Sequence, residues 1–179
     1  VLFMLLPVTT RRIAMQKGCV VGIFIAPEAG APMRSAKSVR ALMGAGLEGD
    51  RYAKEAGSFS ERRRQVIRHV TLVSHELVFQ ANGELAGATY LFDELRRNIV
   101  LSGIEDIKAL VGRKFVIGGA TLRGVEECTP CIRPARALEQ DEKAFIQAFR
   151  DFRGGIRAEV VKGGIIAVWD PVFCNWDNE

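Results

Sequence analysis

Histidine is almost missing from this chain, with only His69 and His75 among 179 residues. A structural zinc site usually needs two Cys-x-x-Cys pairs, or one pair with two close histidines. Here a single pair, Cys128 and Cys131, stands far downstream of both histidines, so structural zinc is disfavoured and both histidines are read as structural or surface residues. Cysteine is also sparse: Cys19, Cys128, Cys131 and Cys174 are too few for a disulfide scaffold, and a chain that is 48% hydrophobic has no need of one. A reducing, cytoplasmic setting is expected. Aromatic residues make up only 8%, and the most basic stretch interleaves just Tyr52 and Phe59, few platforms for base stacking. Nucleic acid is therefore not an expected partner. No apolar run is long enough to span a bilayer. The opening "VLFMLLPVTTRRIAM" is broken by Pro7 and carries no basic residue ahead of its apolar part, unlike a secretory signal. Residues 1–14 are read as a poorly ordered extension and 15–179 as one domain, with no membrane partner.

What the sequence has instead is a series of short β-type segments punctuated by glycine. "CVVGIFIA" (19–26) has the pattern of a buried strand, and "SVRALMG" (38–44) alternates more weakly. "GAGLEGDRY" (44–52) is a glycine turn, in which Gly49 permits a tight bend and Asp50 can fix an arginine such as Arg51. A loop follows to Arg64. "QVIRHVTLV" (65–73) returns to strand, and Ser74 is placed to cap a short helix ending near Asn82-Gly83. "LRRNIVLSG" (95–103) is a further strand, followed by a helical turn around "IEDIKALVG". "KFVIGGATLRGVE" (114–126) predicts a hairpin, with Gly118-Gly119 suited to a type I′ turn. "IRAEVVKGGIIAVWDPV" (156–172) predicts a second hairpin around Gly163-Gly164. Between them Phe145, Ala148, Phe149 and Phe152 form the apolar stripe of an amphipathic helix over 141–152. Many short strands, glycine turns and few helices predict a closed or nearly closed antiparallel barrel decorated by helices.

Charge is concentrated. Between Arg51 and Arg68 six Lys or Arg face two Glu, which accounts for the whole formal charge of +4. A local basic patch on a neutral body suits a small anionic ligand, with phosphate the leading candidate group. The cysteine pair lies in "VEECTPCIRPARAL", where Glu126 and Glu127 precede Cys128 while Arg133 and Arg136 follow Cys131. Carboxylates disfavour a thiolate and guanidinium groups favour it, so Cys131 is the better placed to act as nucleophile or metal ligand. Two buried inert cysteines, or a redox pair, remain open on spacing alone. Cys19 is expected to be inert, and Cys174 to lie exposed in a polar tail.

Several motifs in fixed order carry a resemblance: "GLEGDRYA", "RRQV" leading into "VTLVS", "LRRNIVLSGI", "LVGRKFVIGGATLRGVEECTPC" and "RGGIRAEVVKGG". Together, from about Cys19 to Val172, they resemble the MOSC domain, the C-terminal domain of molybdenum-cofactor sulfurases. The resemblance implies a mainly β fold, a barrel with peripheral helices akin to the β-barrel domain of pyruvate kinase. It also implies an anion pocket for the molybdenum cofactor, a molybdopterin with molybdenum, and places the family's reactive cysteine at Cys131 as catalytic group and metal ligand. A thiolate is the protein ligand type that suits a metal held through soft sulfur; the alternative is that Cys131 carries sulfur as a persulfide. Arg51, Arg64, Arg97, Arg133 and Arg157 are the candidate donors to phosphate and pterin, since a planar guanidinium binds phosphate by two parallel hydrogen bonds. Asn98, donor and acceptor at once, is a candidate reader of the pterin's amide edge. The family is also associated with pyridoxal phosphate binding, but within these 179 residues neither an aminotransferase-like pyridoxal domain nor the N-terminal barrel of larger reductases is expected. An electron-donor or sulfur-donor protein is therefore an expected partner. Two functions follow: an oxidoreductase acting on N-hydroxylated compounds, or a carrier that delivers sulfur or cofactor to a molybdoenzyme.

Overall fold

The computed structural model describes residues 15–57 and 67–174. The expected extension over 1–14, and Arg64, lie outside the described residues. Eleven strands and three α-helices occur among those described: β1 (Met15–Ile25), β2 (Arg34–Ser35), β3 (Ser38–Leu42), β4 (Gly46–Leu47), β5 (Val70–Ser74), α1 (His75–Gly83), β6 (Ile99–Ser102), β7 (Lys114–Ile117), β8 (Ala120–Glu127), α2 (Arg133–Ala137), α3 (Glu142–Phe149), β9 (Ile156–Lys162), β10 (Gly164–Ala167) and β11 (Pro171–Cys174). A 3-10 turn covers Ile107–Leu110, where the helical turn was expected.

The sheet runs β11-β7-β8-β9-β5-β6-β1-β2, and pairing of β11 with β1 closes seven of these strands into a barrel. Closure removes all but short sheet edges. The expected barrel is present but is mixed rather than antiparallel, because β5 and β6 run parallel, joined by α1 and the loop after it. Alternation along each strand sorts side chains into two cores. Leu72, Ile99, Leu101, Phe115, Leu122, Ile156 and Val172 fill the barrel. Their outward neighbours Val73 and Val100 meet Val78 and Ala81 of α1, and Phe145, Ala148 and Phe149 of α3. This outer layer is why β5 is buried along its whole length and reads as a continuous apolar run. Tyr90 packs on Phe145 with centroids 4.7 Å apart. Each helix start is specified locally: Ser74 accepts from the Leu77 amide, and Asp141 accepts from the Lys143 and Ala144 amides.

Three local expectations are corrected. The β7–β8 hairpin forms, but of its two glycines only Gly118 has a positive φ, 55°, whereas a type I′ turn needs two. Gly163-Gly164 makes no hairpin: β9 pairs with β5 and β8, whereas β10 leaves to pair with β3 in a separate three-stranded sheet, β10-β3-β4. Glycine is required there by close approach, since a Cβ on Gly164 would sit 2.2 Å from the Gly119 carbonyl oxygen. The helical stripe also stops short. Helix α3 ends at Phe149, and Asp151 and Phe152 turn to φ values of 56° and 67°, which sends Phe152 to the barrel core instead.

Candidate functional site

At the end of the barrel where β1 exits and β6 enters, a cavity of about 450 Å³ opens. Its walls come from the loop after β1, the turn around Arg51, the segment before β6, the cysteine turn with α2, and Phe145 of α3. Cys131, Arg51, Arg97 and Arg133, four of the seven residues expected from the sequence, line it together.

The turn at Gly49, with φ 81°, delivers Asp50 into the interior as a hub. One carboxylate oxygen, Oδ1, accepts from the Ala26 amide (3.0 Å), Arg51 Nη1 (3.1 Å) and Asn98 Nδ2 (3.1 Å), while Oδ2 accepts from the Tyr52 amide (3.1 Å). Asp50 thus holds Arg51, as its position in the turn led one to expect. Arg51 is buried; its Nη2 donates to the Arg96 carbonyl at 3.2 Å, its Nη1 also points at the Met33 sulfur at 3.2 Å, and its guanidinium stacks 4.6 Å over the Tyr52 ring.

Arg96 is the site residue that strand periodicity missed. The alternation of "LRRNIV" puts its two arginines on opposite faces, but β6 begins only at Ile99 and Arg96 takes a left-handed φ of 58°. Both Arg96 and Arg97 then reach the cavity. Arg96 Nη1 donates to the Ala31 carbonyl at 2.7 Å, whereas its buried Nη2 has no hydrogen-bond partner. Burial, and then the like charges of Arg51 and Arg133, hold the Arg96 pKa below the ordinary arginine value, only partly offset by Tyr52 and Asp50. Crowded guanidinium groups with a buried donor to spare are stabilised by an anion. Arg97 is tied to backbone, Nε to the Gly154 carbonyl (2.6 Å) and Nη1 to the Leu95 carbonyl (2.9 Å).

Two of the expected residues do not line the cavity. Asn98 is fully buried: its Oδ1 accepts from the Thr71 amide and hydroxyl, and its Nδ2 donates to Phe24 and Asp50. Its bonds join β1, β5 and the Asp50 hub, a scaffold under the site. Arg157 pairs with Glu126 at 2.6 Å on the barrel wall.

Cys131 is exposed at the cavity, whereas Cys128 is buried, its amide donating to the Gly155 carbonyl at 2.8 Å. Arg133 lines the cavity beside Cys131; Arg136 is instead held by Glu142 at 2.5 Å and is not part of the wall. The expectation for Cys174 is corrected: it ends β11 as a buried member of the barrel core. His69 accepts from the Val160 amide at 3.1 Å, and His75 packs on Phe92, so both serve structure. Among the described residues no three His, Cys, Asp or Glu converge as a metal site. No helix among them is long and apolar enough to cross a membrane.

The closed barrel is a construction shared with known proteins. The MOSC domain model matches residues 60–173, more than half of the sequence, and the chain belongs to the MOSC domain family. The YuaD protein from Bacillus subtilis superposes with a TM-score of 0.73 at 21% identity, covering 91% of this chain and 100% of that one. YiiM from Escherichia coli gives a TM-score of 0.62 at 14% identity, covering 88% and 69%. YiiM from Geobacillus stearothermophilus gives 0.56 at 12%, covering 91% and 75%. These likenesses establish the fold. No curated protein matches the sequence.

Proposed function

We propose that this MOSC chain binds a phosphate-bearing pterin cofactor carrying molybdenum in the barrel-end cavity, and that it reduces N-hydroxylated compounds there with electrons from a partner protein. The observation that carries the reading is the convergence of an exposed thiol, Cys131, with Arg51, Arg96, Arg97 and Arg133 around one cavity of about 450 Å³. The donor set fits the group. Guanidinium groups, among them Arg96 with its unpartnered Nη2, suit a phosphate, and a thiolate suits a soft metal. Arg64, outside the described residues, is assigned to the same phosphate because the formal charge of the chain concentrates between Arg51 and Arg68. When bound, the cofactor would supply a two-electron redox centre that accepts an oxygen atom.

The chain's own residues anchor and orient. Arg51 and Arg96 hold the phosphate end, stiffened by Asp50 and by the Ala31 carbonyl. Cys131, exposed at the cavity, would hold the metal, and Arg133 lines the wall beside it. The apolar wall of Leu95, Pro134, Leu138 and Phe145 limits water around the reacting group. The overall change takes two electrons and two protons and leaves the reduced nitrogen compound and water.

A second reading is favoured by the exposure of Cys131: a persulfide there would be open to an acceptor protein, making the chain a sulfur carrier. Two assays on the purified protein separate them. Turnover of a hydroxylamine with a chemical reductant, dependent on molybdate in the growth medium, supports the first. Cyanide-releasable sulfur on Cys131, with no reductase activity at any molybdate level, supports the second and refutes the first.

A further inference from the structure

We infer that Gly154 is a positioning residue, which sets the spacing between Arg97 and the Cys131 turn by leaving room for both to close on one backbone segment. The inference rests on the reading of Cys131 as the working group, but its test needs no cofactor. Three walls of the cavity meet at this glycine. Helix α3, which contributes Phe145, is closed by the Gly154 amide donating to the Phe149 carbonyl at 2.9 Å. Arg97, from the segment before β6, donates Nε to the Gly154 carbonyl at 2.6 Å. The cysteine turn is attached one residue on, through the Cys128 amide and the Gly155 carbonyl at 2.8 Å. The approach to this point is itself constrained, with Asp151, Phe152 and Gly155 all at positive φ and Glu127 accepting from the Phe152 amide at 2.9 Å.

What makes Gly154 the pivot is the space at its α-carbon. A Cβ there would lie 2.9 Å from the Cys128 carbonyl oxygen, 3.2 Å from the Phe149 carbonyl oxygen and 3.6 Å from Arg97 Nη2. The first distance is shorter than packed atoms tolerate, and the atom in the way is backbone. The cheapest relief moves the start of the turn that carries Cys131, and moves it relative to Arg97. Buried Cys128 has the same meaning: it contributes its backbone, and its carbonyl marks the inner limit of the turn. Gly154 has no positive φ, so alanine adds crowding without the backbone strain that Gly155, at φ 93°, would add.

The test is the pH–rate profile of Cys131 alkylation by iodoacetamide, read by peptide mass spectrometry on cofactor-free full-length protein. Gly154→Ala is expected to change the rate at neutral pH by roughly three- to tenfold and to displace the profile, because thiolate fraction and access both follow local placement. Arg97→Lys, which keeps the charge but removes the Nε bond to Gly154, is expected to displace it the same way. The double variant is expected to show less than the sum of the two effects. Gly83→Ala, at a position with open space around it, is the control and is expected to leave the profile in place. If Gly154→Ala unfolds, Arg97→Lys alone decides. A folded Gly154→Ala or Arg97→Lys whose profile superimposes on the parent overturns the inference. That outcome leaves the cofactor reading standing, whereas failure of molybdenum binding would leave the alkylation result intact.

Discussion

Replacing Asp50 by alanine removes in one step the acceptor for four donors: the Ala26 and Tyr52 amides, Asn98 Nδ2 and Arg51 Nη1. Both members of the Asp50–Arg51 pair are buried, with side-chain exposures of 0% and 5%, so solvent cannot screen what is left. Breaking a buried pair by deleting one partner strands the other charge and costs about 3–5 kcal/mol. Each orphaned amide adds desolvation unless the segment relaxes. For a chain of this size about 1 kcal/mol moves the melting temperature by about 2–4 °C, so Asp50→Ala is expected to lower it by about 6–20 °C. Arg51→Met should cost less, because Asp50 keeps three of its four donors. Differential scanning calorimetry of both variants at pH 7 is the assay. A fall of under 2 °C for Asp50→Ala, or a larger fall for Arg51→Met, would refute the hub.

Three further outcomes are expected. Arg96→Ala should weaken pyrophosphate binding by about 10- to 100-fold in calorimetry, the value of one or more charge-assisted bonds, while Arg157→Ala, with its arginine engaged by Glu126, should change it little. Equal losses for the two would contradict the placement of the anion site. Limiting iodoacetamide near pH 6.5 should label exposed Cys131 well ahead of buried Cys128 and Cys174; prior labelling of Cys128 would contradict it. Glu76 supplies a pH dependence: burial pushes its carboxyl up, but hydrogen bonds from Gly103, Ser102 and Ser74 outweigh it and hold the pKa below 4.5. A folded pKa below the unfolded one means that this stabilisation is complete above pH 4.5 and is lost as pH falls through the lower folded value. Glu76→Gln should therefore flatten the fall in melting temperature below pH 4.5; an unchanged acid limb would show that Glu76 contributes nothing there.

The barrel was legible because short strands, glycine turns and the Ser74 cap are all local signals. The order of strands was less so. Nothing near Gly163-Gly164 says that β10 leaves its neighbour for β3, since the residues it meets there, Ser38–Ala41 and Gly119, lie far away in sequence. Cys174 looked like a tail residue because its pairing with Met15 closes the barrel from the opposite end of the chain. In the site, Cys131 stood out because charge order is written in the sequence itself. The arginines were harder to sort. Arg157 and Arg96 are equally basic on paper, and what separates them is a partner across the sheet for one and a left-handed backbone for the other. Asn98 was singled out as donor and acceptor at once, and in the fold both capacities go to the scaffold, its Oδ1 to Thr71 and its Nδ2 to Phe24 and Asp50.

If the cavity holds a molybdenum-bearing pterin through Cys131, as proposed, molybdenum must follow that thiol. The direct measurement is molybdenum per chain, by inductively coupled plasma mass spectrometry, in protein expressed with excess molybdate and purified as the parent, Cys131→Ser and Cys128→Ser. Substantial molybdenum is expected in the parent, none retained by Cys131→Ser, and a measurable share in Cys128→Ser. Molybdenum at parental level in a folded Cys131→Ser, or none in a parent that binds the cofactor's phosphate, would contradict it.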